Sequence, residues 1–234
     1  MSGHSHAKTV KSTKDAADAK RSKEFSKLAK EITIAAKEGG GDPATNPRLR
    51  SVMEKARSFN MPRDNVERAI KRGTGEGDEV QLQEILFEAY GPGNIAILIQ
   101  GITDNKNRTL GEIKQILLQH QGKLVDGGAV RWMFEQKGVI TIKGNKENLE
   151  LAAIEAGAQD MYWHDNEFLD VYTKTEDLEK VKEALSQNTE IESFLLGWVA
   201  KEHVQASESD IAAAQKLFEV LEENDAIQGV YSNI

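Results

Sequence analysis

An α+β fold is what this sequence predicts: an N-terminal three-helix bundle followed by two α/β domains, one of them ferredoxin-like and inserted in the other. Three observations lead there. A 3.6-residue apolar period runs from Asp15 to about Arg72, and from Gln83 it gives way to strand-type runs. From Val139 to Val199 the elements follow the order β-α-β-β-α-β, the ferredoxin-like split arrangement. Finally, a helix and a closing strand after Val204 have no sheet of their own and are expected to return to the sheet begun at Glu84. The expected domains are therefore residues 1–77, residues 78–135 joined to 203–234, and residues 136–202.

Residues 1–14 carry Lys8, Lys11 and Lys14 among Ser, Thr, Gly and His, with too little apolar content to pack, so a mobile basic arm is expected. His4 and His6 on such an arm make a poor metal site. In the first helix, Phe25, Leu28, Ile32, Ala35 and Ala36 fall on one side, and Lys20, Lys23, Lys27, Lys30 and Lys37 on the other. One face should pack and the other should carry charge. The helix should stop at Gly39-Gly40-Gly41. Asn46-Pro47 opens a second helix with Leu49, Val52, Met53 and Ala56 inward, and Pro62 a third with Val66, Ala69 and Ile70 inward. Faces this small make a marginal bundle that needs a neighbour or a ligand. The stretch GTGEGDE reads as a flexible connector.

Glu84–Tyr90 and Asn94–Ile102 read as strands joined by Gly91-Pro92-Gly93, and the unbroken IAILI suggests a strand covered on both faces. A packing helix is expected over Lys106–Gln119, capped near Asp104-Asn105. Gly122–Val125 and Ala129–Phe134 read as further strands around a Gly127-Gly128 turn. In the third unit, strands are expected near Val139–Ile142, Gln159–Trp163, Phe168–Tyr172 and Glu192–Val199. Helices fall near Lys146–Ala156 and Thr175–Ser186, and a turn at Asp165-Asn166. The tail should hold a strand near Val204, a helix over Ser207–Glu223 and a strand over Ile227–Tyr231.

Charge divides the chain. Residues 1–76 hold 17 Lys or Arg against 10 Asp or Glu, a net of +7, within a protein of net −8. A domain-level asymmetry of this kind is the usual footprint of a polyanion partner, although a solvated helix face would look similar. No apolar run suits a signal sequence or a membrane span, so a cytoplasmic protein with no membrane partner is expected. Without cysteine there is no disulfide, thiolate nucleophile or cysteine-ligated metal.

No nucleophile elbow, phosphate loop or pair of histidines at metal-ligand spacing is present, so the chain is expected to be non-enzymatic, with no cofactor and no metal. Asp104, Asn105, Asn107 and Arg108 read as helix capping, and Trp132, Trp163 and Trp198 as core or interdomain anchors. The candidate nucleic-acid-binding residues are Lys8, Lys11, Lys14, Lys20, Arg21, Lys23, Lys27, Lys30, Arg48 and Arg50. Lysine dominance suits phosphate contact over base reading.

Several stretches together resemble the YebC/PmpR family: GHS at 3–5, KDAADAKRSKEFSKLAKEITIAAKEGGGDPATNPRLR at 14–50, NMPRDNVERAIKRGTGE at 60–76, YGPGNIAILIQGITDNKNRT at 90–109 and GAVRWMF at 128–134. Where that family usually has Lys-Trp after GHS, this chain has His6-Ala7, and Ser12-Thr13 interrupt the basic run that follows. The family includes bacterial transcriptional regulators and the mitochondrial translational activator of cytochrome c oxidase subunit I. The resemblance implies three domains and a role in gene expression, through promoter DNA or through ribosomal RNA at the ribosome, where relief of stalling on proline-rich nascent chains is the associated activity. A third possibility is a protein-interaction module working through its acidic ferredoxin-like domain.

Overall fold

A computed structural model describes residues 14–76, 81–144, 146–164 and 167–234. The expected basic arm, the end of the connector at 77–80 and the turn at Asp165-Asn166 lie outside them.

Three helices open the chain: α1 (Lys14–Gly39), α2 (Pro47–Ser58) and α3 (Arg63–Gly73). Asn46 caps α2 by accepting from the Leu49 amide, while its own amide nitrogen donates to the Ala35 and Gly40 carbonyls, so one side chain closes α1 and starts α2. α3 lies so close against α1 that a Cβ on Gly73 would come within 2.4 Å of the Thr33 carbonyl oxygen. Leu28, Ile32, Leu49 and Val66 share this core with Ala35, Ala56 and Ala69. This core is small, and the bundle draws further support from outside: Ile34 packs on Leu82 and Ile102.

The first sheet holds β1 (Gln83–Tyr90), β2 (Ala96–Thr103), β3 (Lys123–Val125) and β8 (Ile227–Ser232), in the order β3-β1-β2-β8. All its pairings are antiparallel. At the β2–β8 bulge Gly101 leaves room for Ala226, whose carbonyl oxygen would sit 2.3 Å from a Cβ there. Helices α4 (Lys106–Gln119) and α7 (Glu208–Glu222) cover one face, burying Phe87, Ile97, Ile99, Ile113, Leu217 and Phe218. Alternate residues Ala96 and Leu98 point the other way, into a cluster with Val130, Phe134, Trp198 and Tyr231. The IAILI run is unbroken because both faces are covered.

The second sheet holds β4 (Phe134–Lys143), β5 (Asp160–His164), β6 (Phe168–Thr173) and β7 (Glu190–Ala200), ordered β5-β6-β4-β7. With α5 (Lys146–Ala156) and α6 (Leu178–Ser186) it forms the ferredoxin-like arrangement. Ile140, Ile142, Leu169 and Val171 face Leu149, Val181 and Leu185.

Two strand expectations are corrected. Ala129–Phe134 is not a strand: Arg131–Met133 is a 3-10 turn, and the following strand begins at Phe134. The cause lies forty residues away, where the buried Glu88 carboxylate accepts from the Gly128, Val130 and Arg131 amides, donors that a strand would pair with its neighbour. Near Val204 there is no strand either, only a single bond from its amide to the Asn233 carbonyl.

Candidate nucleic-acid interface

Three lysines of α1, Lys23, Lys27 and Lys30, turn toward the body of the protein. Lys27, only 8% exposed, donates to the Glu222 carbonyl at 2.9 Å, Lys30 donates to the Asp225 carbonyl at 2.7 Å, and Lys23 donates to the Glu223 carbonyl. Lys23 and Lys27 close the C-terminal end of α7, and Lys30 closes the turn that follows it. That end needs them: its last carbonyls have no intrahelical donors, the helix dipole is negative there, and its last turn carries no basic residue. Burial lowers the Lys27 pKa more than Glu24, Glu222 and Asp225 raise it, and burial likewise lowers that of Lys30 against the pull of Asp225 and Asp104. Burial raises Glu222 in turn, with Lys27 opposing. The expectation of an outward cationic face at Lys23, Lys27 and Lys30 is thereby corrected. These lysines hold the bundle to the body, since each charge-assisted bond contributes about 1.5–3 kcal/mol when buried and less when exposed.

Other expected residues are also engaged. Arg48 bridges Glu38 at 2.5 Å and Glu84 of β1, and Arg50 donates to the Pro43 carbonyl at 3.0 Å. Arg21 is exposed and lies over the Phe25 ring at 5.5 Å. Lys14 and Lys20 sit on the backbone of α1, but their side chains, and the whole of Lys8 and Lys11, fall outside the described residues.

Among the described residues of the bundle, a run of open cations lies on α3. Val66 and Ala69 turn inward toward α1, so Arg68, Lys71 and Arg72, spaced i, i+3, i+4, form one outward stripe. All three are exposed, as is Arg57 at the end of α2, and none of the four has an ion-pair partner among the described residues. The first-turn Asp64 is the acidic residue on the same face, and Glu67 is paired with Arg63 at 2.9 Å. Sequence reasoning passed over this stripe, although its spacing carries the signal.

A cleft of about 600 Å³ lies between α1, the β2–α4 turn and the α7–β8 turn. Its cations Lys23, Lys30 and Arg108 are outnumbered by Asp104, Glu112, Glu223 and Asp225, so it offers no net positive field. As expected, Asp104-Asn105 is capping: Asn105 accepts from the Arg108 amide and Arg108 pairs with Asp104 at 2.5 Å. The anchor reading holds for Trp198, which packs in the cluster between the sheets, and for Trp163, which packs on the third-domain core. It fails for Trp132, which is 64% exposed. Among the described residues, no helix is long and apolar enough to cross a membrane, and no group of three or more His, Asp or Glu is placed to hold a metal ion.

Residues 5–76 match the family model for the TACO1/YebC N-terminal domain, and residues 82–234 the model for the TACO1/YebC second and third domain. Relatives named probable transcriptional regulatory protein include one from Thermosipho melanesiensis, 46% identical over the whole of this chain and 93% of its own length. Another, from Persephonella marina, is 44% identical over the whole chain and 95% of its own length. The crystal structure of a conserved hypothetical protein from Aquifex aeolicus superposes with a TM-score of 0.88 at 40% identity, covering 98% of this chain and 96% of that one.

Proposed function

The chain belongs to the TACO1/YebC family, and from that premise we propose that it is a non-enzymatic, nucleic-acid-binding regulator of gene expression, a DNA-binding transcriptional regulator of the YebC type acting in the cytoplasm. The observation that carries this reading is the stripe of Arg68, Lys71 and Arg72 on α3, unpaired among the described residues, with Arg57 beside the turn that leads into it. The bundle is the positive part of an acidic protein, and this stripe is where its charge is free to meet phosphate. Arg21 and the lysines at 8, 11, 14 and 20 assist from the start of the chain.

The acidic body restricts the contact to one side of the molecule, so a small number of phosphates is engaged. With about six neutralised on duplex DNA, the slope of log affinity against log salt is near −5. Fluorescence anisotropy with a labelled duplex measures it, and a slope near zero ends the proposal.

A second reading gives the same stripe ribosomal RNA and a translation-factor role in relieving stalls on proline-rich nascent chains. It is supported by the exposed Asp42–Thr45 loop, which Asn46 and the Asp42 carboxylate hold in shape at the tip of the bundle. Crosslinking in growing cells, followed by sequencing of the attached nucleic acid, separates the two: promoter fragments support the first, ribosomal RNA the second.

A further inference from the structure

We propose that Trp132 is a stacking platform for an unpaired base of a single-stranded polynucleotide. The proposal rests on the nucleic-acid reading above and extends it to a second site on the acidic body.

The turn that carries Trp132 is built to stay still. Glu88 is 6% exposed, and its carboxylate accepts from the Gly128 amide at 2.6 Å, the Val130 amide at 2.7 Å and the Arg131 amide at 2.9 Å. Val130, Met133 and Phe134 anchor the same turn in the apolar cluster beneath. Trp132 nonetheless projects outward, 64% exposed. Its Nε1 donates to the Ala129 carbonyl at 3.0 Å, which uses the only hydrogen-bonding group of the indole. What the side chain can still offer is a π face, held by the turn in one orientation. Pre-ordering of this kind removes much of the entropic cost of binding.

The surroundings select the ligand. Arg131 lies over the Trp198 ring at 5.2 Å and Lys123 over the Tyr90 ring at 5.8 Å, and both rings belong to the cluster under the turn. Lys201 follows at the end of β7, its amide bonded to the Met133 carbonyl. Arg131, Lys123 and Lys201 are all exposed. Asp126, Glu202 and the Glu88 carboxylate under the turn match these cations in number, so they can meet one or two phosphates individually but offer no net positive field for the dense array of a duplex. Bases inside a duplex are already stacked on both faces, whereas an unpaired base has a face to give. The ring with its fringe of cations therefore fits a single strand.

Intrinsic fluorescence tests this on the full chain. The emission difference between wild type and W132F isolates the exposed indole, and the probes are a twelve-nucleotide oligouridylate and a duplex of the same length. The single strand is expected to quench that component and the duplex to leave it unchanged. W132A and W132L should weaken single-strand binding about tenfold with an unchanged salt slope, because stacking releases no counterions. R131Q should flatten the slope by about 0.7. An unmoved Trp132 signal while the oligonucleotide saturates the helical domain overturns the proposal and leaves the helical-domain reading standing. The same holds if the signal answers to a protein and to no oligonucleotide, or if W132L binds as wild type. Absence of all nucleic-acid binding removes both.

Discussion

Two cationic stripes run along the helical domain, and they have opposite fates. Lys23, Lys27 and Lys30 of α1 meet the carbonyls at the end of α7 and in the turn after it. Arg68, Lys71 and Arg72 of α3 meet nothing charged among the described residues and face water. In both, the spacing and the residue types are those of a polyanion-binding helix. The difference lies in what stands opposite: a helix end with unsatisfied acceptors and acidic residues consumes lysines as readily as phosphate does. A positive helix face in a net-negative protein is therefore evidence of an anionic partner, and the protein's own body is one of the partners to consider.

The largest effect expected from this comparison is on binding. Replacing Arg68, Lys71 and Arg72 together by Gln should flatten the salt slope on duplex DNA by about 2.7, and weaken affinity at 0.1 M salt by about 100-fold or more. Circular dichroism should stay unchanged, because the stripe is exposed and makes no ion pair among the described residues. If affinity survives, the α3 face is not the interface and the family function is carried elsewhere.

The second effect should fall on stability instead. Replacing Lys23, Lys27 and Lys30 by Met should lower unfolding free energy by about 2–4 kcal/mol, the cost of leaving the α7 carbonyls without charged donors. The salt slope should move by less than about 0.5. Urea denaturation and anisotropy on one preparation read both quantities. A slope that collapses while stability holds would reverse the assignment of the two stripes.

Much of this architecture is legible in the sequence, for local reasons. Asn46-Pro47, Asn105 and Ser207 mark helix starts because capping is settled within a few residues. The β-α-β-β-α-β order is legible because each apolar run ends at a turn. What escapes the sequence depends on partners far along the chain. Ala129–Phe134 has strand-forming residues, yet Glu88 draws its amides into a turn and turns Trp132 outward. The α1 lysines meet acceptors some 195 residues away. The α3 stripe is legible locally, since the i, i+3, i+4 spacing of Arg68, Lys71 and Arg72 needs no distant partner, although lysine is denser on α1.

Glu88 offers the mirror image of the α1–α7 contact, with backbone donors meeting a buried anion. Burial would push its pKa up, but the three amides and the Arg131 guanidinium outweigh burial and hold it below the ordinary 4.5. With the folded pKa depressed, the native state binds fewer protons than the unfolded one in this range, so the contribution to stability is complete above about pH 4.5 and is lost as pH falls through the depressed value. E88Q should then cost about 1.5–3 kcal/mol at neutral pH. The gap from wild type should close in acid. Urea melts at about pH 7 and about pH 3.5 check it, and a gap independent of pH would mean that shape, not charge, holds the turn.

The smallest effect concerns Arg48, a site where the two stripes' fates are mixed. It bridges Glu38 of its own domain and Glu84 of the first sheet, yet its side chain is 40% exposed. Exposed ion pairs contribute about 0.2–1 kcal/mol, because water screens the attraction and long side chains lose freedom. R48Q should therefore lower stability by less than about 1 kcal/mol at low salt, with the loss disappearing in about 1 M salt, where screening acts within a few ångströms. Its effect on nucleic-acid affinity should be under about threefold, since a phosphate would first have to displace two carboxylates. A larger loss of affinity with no loss of stability would show that Arg48 leaves Glu38 and Glu84 when the ligand arrives, and would extend the binding surface from α3 across the bundle to the edge of the first sheet.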